Sequence, residues 1–152
     1  MEGAVTSARA LFAHAVDAEV CLPTGAPGPA ASTWVAGGFV RIRVDVPLVP
    51  TLYANQQGGF RVSCPSCSEN VVPVFAPVLA ELRSTGAARL TCPRCAVCTP
   101  IAELHFAPKA VVGRAALVIA DAADGHLHDR VLRDLQERFG PVAVVAARVS
   151  AR

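Results

Sequence analysis

The chain has 152 residues, 53% of them hydrophobic, and a formal charge of +2 at neutral pH from 14 Lys and Arg against 12 Asp and Glu. That length predicts a single domain over 1–152 with a real core. The apolar content is mostly alanine and valine, and no run reaches the roughly 20 uninterrupted apolar residues of a membrane span. The small charge is scattered along the chain, unlike the concentrated basic stripe with which nucleic-acid binders neutralise phosphates.

Thirteen arginines stand against one lysine, a bias of a GC-rich, bacterial-like coding sequence rather than a chosen chemistry. The first twenty residues are interrupted by Glu2, His14, Asp17 and Glu19 and lack the basic start and long apolar middle of a secretory leader. The expectation is a cytoplasmic protein that does not enter a membrane.

In chain order, Val5, Ala8, Leu11 or Phe12, and Ala15 or Val16 recur at helical spacing, while Phe12, His14, Val16, Ala18 and Val20 also alternate. The reading is a helix over residues 7–15 followed by an extended piece. Prolines and glycines crowd residues 23–32 and predict a surface loop. From Phe39 to Val46 the alternation is clean, with Val40, Ile42, Val44 and Val46 on one face and Arg41, Arg43 and Asp45 on the other. That pattern predicts a half-buried strand ended by Pro47 and Pro50.

After a turn over residues 55–59, Phe60, Arg61 and Val62 predict a short strand leading into Cys64-Pro65-Ser66-Cys67. A second, matching pair, Cys92-Pro93-Arg94-Cys95, comes after 24 intervening residues. Zinc requires four ligands at tetrahedral angles, and a CxxC turn offers two sulfurs from one tight loop with backbone N–H groups left to bond the thiolates. Two such turns complete the shell with Cys64, Cys67, Cys92 and Cys95. Pro65 and Pro93 repeat at matching positions, where a missing N–H is cheaply tolerated. Paired CxxC spacing without a secretory leader favours metal over disulfides or redox chemistry.

These residues resemble the zinc-ribbon family, in which two CPxC-type knuckles clamp one structural zinc. The resemblance covers about residues 61–98 and implies an inserted module holding one Zn2+. It departs from the family's habit of glycine after each second cysteine, since Ser68 and Ala96 stand there. It also raises a nucleic-acid reading, with Arg61, Arg89 and Arg94 as phosphate contacts. Cys98 forms a further CxxC with Cys95 and is an alternative ligand, or else a small buried residue or a spare thiol; Cys21 reads as core.

Between the pairs, the apolar stretch 71–82 exceeds what a minimal zinc module needs. Pro77 and Gly86 read as the start and stop of a two-turn helix. The stretch either packs on the host domain or presents Val74, Phe75, Val78 and Leu79 to a partner. Beyond the second pair, residues 114–120 predict a buried strand, 127–139 an amphipathic helix with Leu127, Val131, Leu132, Leu135 and Phe139 inward, and 142–149 another strand. If the two strands pair side by side and parallel, the crossover is right-handed.

The loop from Asp121 to Asp129 is the other cluster of potentially catalytic side chains. His126, His128 and Asp129 suggest a hydrolase metal loop, but Arg130 and Val131 stand where the fuller HxHxDH pattern needs Asp and His. Aspartates also commonly precede a helix as capping residues. His14 and His105 stand alone, and His105 is a remote alternative ligand. The expectation is therefore an α+β protein: a small mixed sheet with an inserted four-cysteine ribbon and a C-terminal strand-helix-strand unit. Its expected role is non-catalytic and protein-binding, of adaptor, regulatory or immunity type. The alternatives are a nucleic-acid-associated ribbon and a metal-dependent hydrolase.

Overall fold

The computed structural model describes residues 2–55, 59–123 and 125–146. They form an α+β fold of three α-helices and four two-stranded antiparallel ladders. The chain divides into two compact units, one drawn from Met1–Val46 and Ala115–Val144, the other including Pro47–Arg114. Each has its own apolar core. No helix among the described residues is long and apolar enough to cross a membrane.

The first unit opens with α1, Glu2–Asp17, longer than the spacing alone predicts because alanine continues the helix at little cost. Ala8 and Ala15 are buried on one face, and Leu11, Phe12 and Val16 pack against the core. The helix ends in a Schellman arrangement: the Val20 N–H donates to the Ala15 carbonyl at 2.9 Å and the Glu19 N–H to Val16 at 3.0 Å. Glu19 occupies the left-handed position at φ 57°. The next segment, rich in Pro and Gly, has no helix or strand up to a 3-10 turn at Ala31–Thr33, yet Cys21 and Ala31 within it are buried.

Strand β1, Arg41–Asp45, pairs antiparallel with β8, Ala116–Ala120, with Arg41 opposite Ala120 and Asp45 opposite Ala116. The expected alternation holds at Ile42, which is buried, but Val40 and Val46 at the ends of that face are exposed. The core covers only the middle of the strand. Helix α3, Asp129–Phe139, buries Leu135 and packs Val131 and Phe139, with Leu127 just ahead of it, on the same core beside Trp34, Phe39 and Ile42. It stops at Gly140, as its sequence predicts.

The strand expected over 142–149 is not formed over residues 141–146, where the backbone is irregular; residues 147–149 lie outside the described residues. The parallel pairing envisaged for it with β8 is absent among the described residues, since β8 pairs antiparallel with β1. Val142 instead packs on the core and accepts a hydrogen bond from Gln136 Nε2 at 3.0 Å.

The second unit contains three short ladders. β2, Thr51–Tyr53, pairs with β7, Val111–Gly113; β3, Arg61–Ser63, with β6, His105–Ala107; and β4, Arg89–Thr91, with β5, Cys98–Pro100. Helix α2, Val72–Thr85, packs against them. It starts a full turn before Pro77, correcting the two-turn helix read from the sequence. Pro73 fills the first turn, where a missing N–H costs nothing, and Pro77 sits inside the helix.

An interior proline costs about 3 kcal/mol. The apolar face offsets it: Phe75 and Leu82 are buried and Val78 and Leu79 partly so, with Val71 buried just ahead of the helix, each full burial contributing about 1.5–3 kcal/mol. The helix ends at Gly86 in the left-handed conformation, φ 78°, where a Cβ would lie 2.9 Å from Pro50 Cδ. Any other residue would be strained there twice over.

Candidate metal centre

Each CxxC sits at the tip of an equivalent turn. In the first, the Ser68 N–H donates to the Cys64 carbonyl at 2.9 Å and the Cys64 N–H to the Glu69 carbonyl at 2.9 Å. In the second, Ala96 donates to Cys92 at 2.9 Å and Cys92 to Val97 at 3.0 Å. Ser68 and Ala96 both adopt φ 59°. The left-handed position that glycine commonly fills in such knuckles is kept here by two residues bearing a Cβ, so their identity did not alter the turn.

The knuckles differ in how the chain leaves them. The second continues as β5 against β4. The first gives a single bridge, Ser63 opposite Asn70, and then passes into α2, with Asn70 Oδ1 accepting the Val72 N–H at 3.1 Å. The two turns bring Cys64, Cys67, Cys92 and Cys95 together, with all four Sγ atoms within 4.8 Å of one another. Across the knuckles, Cys64 Sγ lies 3.7 Å from Cys95 Sγ and Cys67 Sγ 3.6 Å from Cys92 Sγ.

A tetrahedral shell with metal–sulfur bonds of about 2.3 Å has edges of about 3.8 Å. The four sulfurs therefore fit one metal ion. They do not fit disulfides, and all six cysteines are free thiols. Four sulfurs fill a tetrahedral shell and leave no coordination position for water or substrate.

The electrostatics favour thiolates at the two inner positions. Burial pushes the Cys64 thiol up, but the backbone N–H groups of Ser66 and Cys67 and the sulfurs of Cys95 and Cys67 outweigh it and bring it down to about 7. Cys92 is likewise lowered, first by the backbone of Cys95 and also by that of Arg94. Cys67 accepts from the Glu69 backbone, yet its burial and the three neighbouring sulfurs push it up to about 12. Four thiols packed this closely cannot all ionise alone; a bound cation would supply the missing charge.

The site belongs to the core of its unit. Cys64 and Cys92 are each 1% exposed, while Cys67 and Cys95 are half-buried on the outer edge. Below them Phe60, Phe75 and Phe106 form a ring cluster with centroids 6.0–6.4 Å apart, in the tilted and offset arrangements aromatic rings prefer. Phe75, a candidate partner contact from the sequence, is therefore core. Val78 and Leu79 are mostly turned to the same core, and Val74 alone of the four is exposed, beside exposed Val72.

Cys98 is outside the shell. It occupies the position on β5 that matches Asn70 in the first knuckle, neighbouring Thr99 is the buried residue, and the Cys98 side chain is exposed. Strand alternation puts it on the face away from the core, which corrects the buried reading, and it is not among the four clustered sulfurs. Arg89 donates from Nε to Cys98 Sγ at 3.3 Å and from a terminal nitrogen to its carbonyl at 3.1 Å. That contact and the Thr91 hydroxyl hold the thiol below its usual range.

Arg94 is bound to Glu69 at 3.3 Å, and Arg61 is exposed on β3. Two of the three arginines read as phosphate contacts are thus already engaged within the unit. Glu69 carries no role in the sequence pattern; its placement two residues after Cys67, with an arginine inside the second knuckle, is the signal that could have found it.

The remaining candidates are dispersed. His105 is exposed on β6 and is not among the clustered ligands. His14 lies in the first unit, its Nε2 3.6 Å from Asp134 Oδ2 and its ring 5.7 Å from Phe139 and 6.3 Å from Trp34. Cys21 is buried in the same core, which raises its thiol. His126, His128 and Asp129 lie at the start of α3, where the His128 N–H donates to the Trp34 carbonyl and the His128 carbonyl accepts from Val131 and Leu132. Among the described residues, the four cysteines are the one group gathered at metal-binding distance; Asp124 of that loop lies outside them.

Comparison with protein-family models, with curated proteins and with solved structures finds no match.

Proposed function

We propose that the four cysteines hold a single structural zinc and that the unit they brace is a recognition module acting on another protein. The observation that carries this is the closed four-sulfur shell: it fits one ion and keeps no position for chemistry. Zinc is the choice among metals because thiolate sulfur at tetrahedral spacing suits it and it needs no electronic preference to be met. Zinc bound there would fix the two knuckles relative to each other; Cys64 and Cys92 would supply the buried ligands and Cys67 and Cys95 the outer ones.

A protein partner is favoured over nucleic acid because Arg89 and Arg94 already have intramolecular partners, while apolar Val72, Val74 and Val97 are exposed on this unit. The test is capture from the native cell by the zinc-loaded protein, compared with Val74→Asp and with a salt series. A protein retained by the parent chain and lost with Val74→Asp supports the reading. Retention of nucleic acid, released steeply as salt rises, overturns it in favour of a ribbon that contacts phosphates through Arg61.

A further inference from the structure

We propose that Arg94 and Glu69 are a positioning pair that clasps the two knuckles together and sets how long zinc stays bound. This rests on the reading of the four cysteines as a zinc shell. Each end of the ion pair is tied to the ligands of a different knuckle. Arg94 stands between Cys92 and Cys95, and its backbone N–H donates to the Cys92 sulfur. Glu69 lies just past the first knuckle; its backbone N–H donates to the Cys67 sulfur and its carbonyl accepts the Cys64 N–H at 2.9 Å. The Arg94 guanidinium then donates to Glu69 Oε2 at 3.3 Å, so one contact joins two turns that are otherwise linked at their tips by the metal.

The exposure of the ligands shows where that contact matters. Cys64 and Cys92 are sealed in the core, so a chelator or competing thiol meets the ion at the half-buried Cys67 and Cys95 edge. Removing zinc by ligand substitution there requires the knuckles to part, and the clasp opposes that movement. Arg94 and Glu69 are 68% and 36% exposed, so water and salt weaken the pair. The effect is a change of about two- to fivefold in release rate rather than a loss of the site.

The test measures zinc transfer from the full-length holoprotein to an excess of a coloured chelator. Arg94→Gln and Glu69→Gln each release zinc about two- to fivefold faster than the parent at low ionic strength. The difference disappears in 1 M salt, where the screening length is about 3 Å. The exchanged pair, Arg94→Glu with Glu69→Arg, returns to the parent rate, whereas Arg83→Gln on α2 leaves it unchanged. Single variants that release zinc at the parent rate, or an exchanged pair as fast as the singles, overturn the clasp. A parent chain that carries no zinc overturns the zinc reading itself.

Discussion

The two units solve the same problem of size by different means. The one from Met1–Val46 and Ala115–Val144 closes around Trp34, Phe39, Ile42 and Leu135, with helices α1 and α3 beside the β1–β8 ladder. The one with the four clustered cysteines has three-residue strands and places Cys64 and Cys92 among its most buried side chains. Pieces that small bury too little apolar surface to be secure alone. A metal in place of part of the core would be the remedy, and on the proposed reading zinc dependence should stop at the unit whose core contains the four clustered cysteines.

The largest effect separates the units outright. Structural zinc contributes on the order of 10 kcal/mol in small modules, comparable to the whole stability of a domain, about 5–15 kcal/mol. Cys64→Ser or Cys92→Ser should therefore eliminate stoichiometric zinc and unfold the ladders and α2. Cys98→Ser should leave one zinc per chain, because that side chain is outside the shell. Metal analysis of the purified variants checks both, and zinc loss with Cys98→Ser would redraw the ligand set.

Core truncations sharpen the contrast at smaller scale. Leu82→Ala and Leu135→Ala each remove a buried leucine and should each cost about 2–5 kcal/mol. Only Leu82→Ala, packed in the core that contains Cys64 and Cys92, should also weaken zinc affinity. Denaturant unfolding paired with chelator competition reads the two quantities separately; equal zinc loss in both variants would erase the distinction between the units.

How much of this is legible in the sequence depends on how each signal is encoded. The four ligands are readable because coordination chemistry fixes residue type and spacing together. Helix α3 is readable because its apolar face repeats over 11 residues. Three-residue strands such as β2, β6 and β7 contain too few positions for alternation to register. Helix α2 reads too short because Pro77 looks like a start, and only the packing of Phe75 shows that the helix runs through it. Residues 142–149 have strand-forming composition, but composition supplies no partner, and the described part, 142–146, has no ladder.

A pH series tests the electrostatics of the site. Without metal, Cys67 keeps its proton through the neutral range because its thiol is raised to about 12. The metal-bound form has lost that proton, so raising the pH favours binding and lowering it favours release. Between about pH 7 and 9 the affinity should rise at least tenfold per pH unit, at least one proton being displaced whether the metal-free thiols stay packed together or return to their ordinary value of about 8.5 as the unit unfolds. Below about 7, where Cys64 also takes up a proton, the slope should steepen. Competition with a chelator of known pH dependence measures it, and an affinity flat from pH 7 to 9 contradicts the assignment.

The smallest effect compares the knuckles with each other. Ser68→Gly and Ala96→Gly relieve a left-handed backbone that a Cβ opposes by about 1 kcal/mol. Each should stabilise the holoprotein by a similar, small amount, seen as a matching rise in the unfolding midpoint, because both residues sit at φ 59°. Unequal shifts would show that helix and strand continuations load the two turns differently.

The most direct test of the zinc brace is stepwise chelation monitored by two signals at once. Trp34 is the chain's single tryptophan and is buried in the core that contains no ligand, so its emission reports that unit, while far-ultraviolet circular dichroism also registers α2. One zinc per chain should leave, the helical signal should fall, and Trp34 emission should stay at its native wavelength. A chain that yields no zinc, or keeps its full helical signal once the zinc is gone, would contradict the account.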